Sequence, residues 1–275
     1  VKAVTAGADI SCQPIYKETK MTDQARKAER FRGLHIRGKP LVLFNIWDAG
    51  SAKAVASGGA KAIATGSWSV ANANGFADGE HTPLALAIDN LRRIVGATQL
   101  PVTIDIESGY GGTPEAVGET VTLAIDAGAV GCNLEDSFPA DGKLRETIDQ
   151  THRIRRARQV ADAAKMRFFI NARTDIFFQQ PPEQHNDAML SAAIDRAHAY
   201  AEAGADGLFA PGLADIVLIA RLVEALPLPL NIMVGELTPP LRTLAENGVA
   251  RVSHGPGPYL IAMKRLEEAA RDASV

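Results

Sequence analysis

The feature that most restricts the fold is an alternation repeated eight times. Short apolar runs occur at LVLFNIWD (41–48), KAIATGS (61–67), PVTIDIES (101–108), VGCNLEDS (130–137), RFFINART (167–174), DGLFAPG (206–212), LNIMVG (230–235) and ARVSHGP (250–256). Each is bounded by polar, glycine or proline residues, as a strand buried on both faces should be. Between most of them lie alanine-rich stretches with helical spacing, such as PEAVGETVTLAIDAGA and DAMLSAAIDRAHAYAEAGA. Three helices are predicted to end at the same helix-to-strand corner, Gly59-Ala60, Gly128-Ala129 and Gly204-Ala205, with glycine as the stop. Strands alternating with helices imply a parallel sheet. Eight such units in about 250 residues fit a closed (β/α)8 TIM barrel, a single α/β domain. An open doubly wound sheet carries G-x-G-x-x-G after its first strand, whereas this chain reads Asp48-Ala49-Gly50-Ser51 there.

Composition narrows the function classes. The 275 residues are 46% hydrophobic and 22% charged, with net charge -3. No basic excess or Lys/Arg stripe points to nucleic acid. No apolar run approaches the roughly 20 residues of a membrane span. Cys12 and Cys132 are far apart and support neither a disulfide framework nor zinc; a reducing cytoplasm is the expected compartment. Residues 1–20 lack the pattern of a signal peptide and read as a tag or upstream extension. Met21 then opens MTDQARKAERFRGLH, where Thr22 can cap a helix with Asp23 in its first turn. The barrel is expected over 21–275.

A barrel carries its chemistry at the C-terminal strand ends. Those ends hold Asn45 and Asp48, Gly66-Ser67-Trp68-Ser69, Asp105 and Glu107, Glu135 and Asp136, Arg173 and Asp175, Glu236, and His254, with Asp78 in the loop after the second strand. Asp48 also reads as a helix cap, Asp136 and Asp175 as caps or ion-pair partners, and His254 as a structural turn residue. Asp105 and Glu107, at i and i+2 of a strand, are expected to face the same way. Their repulsion requires a cation, a proton or a base between them. Asp105, Glu107 and Glu135 together form a hard oxygen set suited to Mg²⁺ or Mn²⁺ with several waters retained.

The stretches NIWDAGSA, ATGSWSVANANGFADGE, DIESGYGG, NLEDS and NARTD, in this order and spacing, resemble the isocitrate lyase / phosphoenolpyruvate mutase superfamily. The resemblance runs from about Phe44 to Gly257, and its nearest likeness is to short bacterial carboxyphosphonoenolpyruvate phosphonomutase-like and oxaloacetate decarboxylase-like members. It implies a (β/α)8 barrel that binds Mg²⁺ and a 2-oxo acid or its enolate and makes or breaks the adjacent C–C or C–P bond. Carried over by position, Asp105 is the direct metal ligand, and Glu107, Asp78 and Glu135 hold metal-bound waters. Arg173 meets a substrate carboxylate or enolate oxygen, and Gly66-Ser67-Trp68 grip the α-carboxylate.

Departures from the family pattern narrow the reaction. Isocitrate- and methylisocitrate-type lyases carry a Lys-Lys-Cys-Gly-His loop after the fourth strand, where this chain reads DSFPADGKLRET. Ala64 stands where those lyases place a Tyr. Both proton-transfer groups are missing, which disfavours isocitrate-type cleavage. FPADGK keeps Phe-Pro and Lys143 of a phosphonomutase gating loop but lacks its Asn, and Glu107 replaces the Asp of many members. The expected function is therefore metal-dependent C–C cleavage through a metal-stabilised enolate, on an oxaloacetate-like 2-oxo acid or a related 2-hydroxy acid. Alternatives are phosphoenolpyruvate mutase or phosphonopyruvate hydrolase chemistry, and a 2-oxo-acid-binding protein with little turnover. A different barrel enzyme, such as a Schiff-base aldolase, is discounted, because none of the eight strand ends supplies a Lys. The resemblance also implies a homo-oligomer, a tetramer or dimer. The amphipathic stretch 258–273, with Leu260, Ile261, Met263 and Leu266, is expected to pack either on a neighbouring subunit or on its own barrel.

Overall fold

Each apolar run contains one strand, and each strand is shorter than its run. A computed structural model describes residues 21–274; the expectations for residues 1–20, Cys12 among them, lie outside the described residues. The strands are β1 (Leu41–Leu43), β2 (Ile63–Ala64), β3 (Val102–Asp105), β4 (Gly131–Glu135), β5 (Phe169–Arg173), β6 (Gly207–Ala210), β7 (Leu230–Met233) and β8 (Arg251–Ser253). All pair in parallel with their neighbours, in the order β1-β8-β7-β6-β5-β4-β3-β2. Only a single bridge, Ile46 to Thr65, joins β1 to β2. The barrel is a single (β/α)8 domain, nearly closed.

Ten α-helices lie among the described residues: α1 (Asp23–Gly33), α2 (Ala49–Ser57), α3 (Ser67–Ala73), α4 (Leu84–Gly96), α5 (Pro114–Asp126), α6 (Thr147–Ala163), α7 (Asp187–Ala203), α8 (Ile216–Ala225), α9 (Leu241–Glu246) and α10 (Gly257–Ala273). Thr22 caps α1 by accepting from the Ala25 N–H. The predicted stops hold: Gly59, Gly128 and Gly204 have φ of +92°, +98° and +107°, values that glycine reaches without a Cβ penalty. α1 lies against the barrel, where the Phe31 ring meets Phe169 edge-on at 5.5 Å and His35 stacks on Phe169 at 4.0 Å.

Two features of the barrel depart from simple apolar layering. Inside it, the fully buried Arg251 donates to Asn133 Oδ1 at 3.1 Å, and Asn171 donates to the same oxygen at 2.9 Å. At the seam between β1 and β2, Asn45 stands in for missing strand pairing. Its Oδ1 accepts from the His254 and Gly255 N–H groups, both at 3.0 Å, while its Nδ2 donates to the Thr65 carbonyl at 2.9 Å.

Among the described residues, none covers the outer side of β1. Val42 and Phe44 are exposed there, beside a cavity of about 700 Å³ lined by Ile36, Leu41, Val42, Phe44 and Val55. α10 does not fill it. Of its residues only Pro258 is buried, and Leu260, Ile261 and Leu266 are 51%, 58% and 63% exposed. Of the two expectations for this helix, packing on its own barrel holds only at the first turn, through Pro258 and Tyr259, and is corrected for the rest.

Candidate active site

The predicted rim divides into residues that hold the fold and residues that converge. Asp48 is a reciprocal cap of α2 with Ser51. Asn45 is the seam bridge, and the His254 ring packs 5.0 Å from Phe44. Glu236 is exposed in the loop after β7. Asp136 is buried as an acceptor for the Asp175 N–H, the Tyr200 hydroxyl and Arg196, at 2.9, 2.8 and 3.1 Å.

Asp105, Glu135 and Arg173 come together at the ends of β3, β4 and β5. Arg173 forms a two-pronged pair with Asp175, Nε to Oδ1 at 2.6 Å and Nη2 to Oδ2 at 2.9 Å, and its Nη1 lies 2.7 Å from Glu135 Oε2. Ser137 Oγ sits between the two acids, 3.0 Å from Glu135 and 2.8 Å from Asp175, with one proton to give to either. Burial alone would weaken the guanidinium's hold on its proton, but Glu135 and Asp175 outweigh it and keep the charge in place. Burial pushes Glu135 up to about 8, Arg173 pulls against that shift, and Asp175 and Asp105 add to it.

Asp105 is held at the strand end by its own N–H donating to Thr65 Oγ1 at 2.9 Å. Its Oδ1 accepts from the Glu107 N–H at 3.0 Å, and its Oδ2 meets only a long contact, 3.4 Å, from Asn133 Nδ2. Burial raises its pKa, Arg173 opposes this, and Asp78 adds to it. Asp78 itself is exposed on its loop. Gly66 precedes α3 and Ser67 opens it. Ser67 borders a cleft of only about 10 Å³ together with Asp105, Glu107, Thr82 and Tyr110, room for about one water. Trp68 packs 5.9 Å from Tyr259, which also meets Trp47 at 5.1 Å. The far larger cavity beside β1 shares no lining residue with this cleft and has no acidic lining.

A sequence model of the phosphoenolpyruvate phosphomutase family matches residues 31–274. The chain belongs to this family. It is similar to a protein of Burkholderia cenocepacia J2315 provisionally assigned as a phosphonomutase, at 56% identity and a TM-score of 0.89, over 91% of this chain and 99% of that one. An uncharacterized protein of Mycobacterium tuberculosis is 36% identical over 89% of this chain and 88% of its own length. The 2-methylisocitrate lyase of Escherichia coli is 29% identical, over 87% of this chain and 80% of its own. Members of this family are enzymes, lyases and mutases, that act on small acids and use divalent metal ions.

The family's metal can be weighed against the groups present. Among the described residues, no three His, Cys, Asp or Glu side chains form a ready-made cage. Mg²⁺ needs none, since one or two carboxylates, several waters and the substrate complete its shell. Asp105 Oδ2, with a single long contact, is free to bind directly, and Asp78 adds negative charge near it. The donor set fits a hard divalent cation. Glu107 is different. The two acids do border one cleft, but not by strand alternation, since β3 ends at Asp105 and Glu107 has φ of +52°, and no cation is needed to hold Glu107 there. Its Oε2 accepts from the Gly79 and Glu80 N–H groups at 2.9 and 2.5 Å, and its Oε1 from the Tyr110 hydroxyl at 3.2 Å.

Several site residues escaped the sequence reading. Glu80, Ser108 and Tyr110 lie inside the quoted stretches FADGE and ESGYGG, but nothing local marks their partners. Lys143 is a reverse case. The sequence keeps it as a phosphonomutase-like lysine, yet its side chain is 78% exposed and pairs with Asp141 at 2.7 Å.

Proposed function

We propose that this protein is a divalent-cation-dependent carbon–carbon lyase acting on a small 2-oxo dicarboxylate, with decarboxylation of an oxaloacetate-like acid as its simplest reaction. The observation that carries the reading is the convergence of Asp105, Glu135 and Arg173 at three adjacent strand ends beside a loop that holds neither Cys nor His. Asp105 would hold the cation directly, with Glu135 and Asp78 accepting from its waters. When bound, the cation supplies positive charge against the negative charge that builds on the oxo oxygen as the neighbouring bond breaks. The Ser67 hydroxyl and the first-turn N–H groups of Ser67 and Trp68 would orient the α-carboxylate, whereas the Gly66 N–H is taken by the Ile46 carbonyl at 3.1 Å. Arg173, locked by Glu135 and Asp175, presents a fixed cation to the substrate's oxygen atoms without having to reorganise. Loss of CO₂ needs no proton donor in the bond-breaking step, which suits a loop of DSFPADGKLRET.

The second reading is C–P chemistry, favoured by the 56% identical Burkholderia cenocepacia relative. The outward, Asp141-paired Lys143 weighs against it. Purified protein with Mg²⁺ should release pyruvate from oxaloacetate, or cleave another member of a panel of 2-oxo and 2-hydroxy diacids. An untouched panel together with turnover of phosphonopyruvate reverses the order of the two readings. Tight 2-oxo-acid binding without any turnover favours a binding protein instead.

The uncovered groove beside β1 and the exposed apolar face of α10 support a homo-oligomer in which this helix covers the groove of a second copy. An apolar helix face left in water on the same chain as an apolar groove is stable when each buries the other.

A further inference from the structure

Three of the four non-glycine residues with positive φ among the described residues sit at one place: Glu80 at +62°, Glu107 at +52° and Tyr110 at +55°. Side chains disfavour this backbone region, and clustered instances need surrounding contacts that hold them. Those contacts are reciprocal. Glu107 reaches from the loop after β3 to accept from the Gly79 and Glu80 N–H groups. Glu80 reaches back, and its Oε1 accepts from the Ser108 hydroxyl and the Tyr110 N–H, both at 2.7 Å.

One side of this pairing is anchored independently. Arg153 of α6 donates to the carbonyls of Ser108 and Gly111. The other side is not. Among the described residues, every hydrogen bond from 78–81 to another loop runs through these two carboxylates. Arg145, buried and with no carboxylate of the described residues within ion-pair distance, lies beside Ser108 and gives Glu80 a nearby positive charge.

We propose that Glu107 and Glu80 form a carboxylate latch that positions Asp78 over Asp105, and that Glu107 is a positioning residue and not a ligand of the cation's waters. The extra methylene of Glu over Asp is what lets residue 107 span the gap to the Gly79 and Glu80 N–H groups. The inference refines the proposed cation site. Its physical content, the docking of 76–82, does not depend on which substrate is turned over.

The two roles for Glu107 order its variants oppositely. A latch needs reach and an acceptor oxygen, so Glu107→Gln keeps it and Glu107→Asp releases it. A water ligand needs charge, so Glu107→Asp keeps function and Glu107→Gln loses it. Hydrogen exchange of residues 76–82 in the metal-free protein should match wild type in Glu107→Gln and quicken by about tenfold or more in Glu107→Asp and Glu80→Ala, with Glu80→Gln restoring protection. Mg²⁺ titration by calorimetry should weaken more in Glu107→Asp than in Glu107→Gln. Unchanged exchange in Glu80→Ala, or Mg²⁺ binding lost only in Glu107→Gln, overturns the latch. The Glu80 pair decides the matter if Glu107→Asp fails to fold. Exchange as expected with no 2-oxo-acid turnover sinks the proposed reaction while leaving the latch intact.

Discussion

Arg173 is gripped by two acids at once, and that constraint makes it sensitive to a change that keeps its charge. Lys at 173 retains the cation but cannot reproduce the planar fork that meets Asp175 at both Nε and Nη2. Arg173→Lys is expected to lower kcat/KM on the active diacid by about 10²-fold or more, read by steady-state kinetics on protein shown to be folded by circular dichroism, and to lower the thermal midpoint because Asp175 loses one prong of a buried pair. Asp105→Asn is expected to remove measurable Mg²⁺ binding in calorimetry and activity with it, because the neutral amide loses the charge the cation needs. His35 carries a different residue-scale effect. Burial first, and then the Arg251 charge, hold its pKa at about 3, well below the ordinary 6.5. The folded form thus stays neutral where the unfolded chain binds a proton. Its contribution to stability is complete above pH 6.5 and is lost as pH falls toward 3, at up to ~1.4 kcal/mol per pH unit. Glu107, which burial pushes up to about 7, and Glu135 act in the opposite sense. The measurement is therefore the wild-type minus His35→Asn difference in denaturation free energy, which should shrink between pH 6.5 and 4.5. A pH-independent difference refutes the assignment.

Among the elements, the helix-to-strand corners were the most legible, because a glycine stop is a local requirement. Gly128 shows a tight form of it. With φ of +98°, an added Cβ would lie 2.7 Å from Val95 Cγ1. Gly128→Ala should cost about 1 kcal/mol or more in chemical denaturation. Gly96, at the end of α4, has no heavy atom within 4 Å of an added Cβ, so Gly96→Ala should be neutral or stabilising. Equal effects at the two positions would show that the corner geometry is not the cause. Strand existence was equally local, since each run of apolar residues carries its own signal. The pairing of Glu107 with Gly79 and Glu80 was not. These partners lie 28 and 27 residues upstream, and nothing in ESGYGG marks that Glu107 leaves the strand geometry through a positive φ.

At the scale of the whole molecule, the uncovered groove and the projecting α10 set the next test. Light scattering of the purified protein should report a mass of two or more chains. Replacing both Leu260 and Ile261 by Asp should shift it toward the 29.2 kDa of one chain. A wild-type monomer removes the proposed assembly. The sequence by itself determined the eightfold alternation, the glycine corners, the acidic mouth with its one prominent arginine, and the family, all of which are written in short contiguous stretches. Only the tertiary structure decided which acids face a shared space, that Arg251 and Asn133 fill the barrel with polar contacts, and that Glu107 is satisfied by backbone N–H groups from another loop. The reason is physical: periodicity and turn chemistry act between neighbours along the chain, whereas hydrogen-bond satisfaction of a buried carboxylate depends on which distant segments the closed barrel brings beside it.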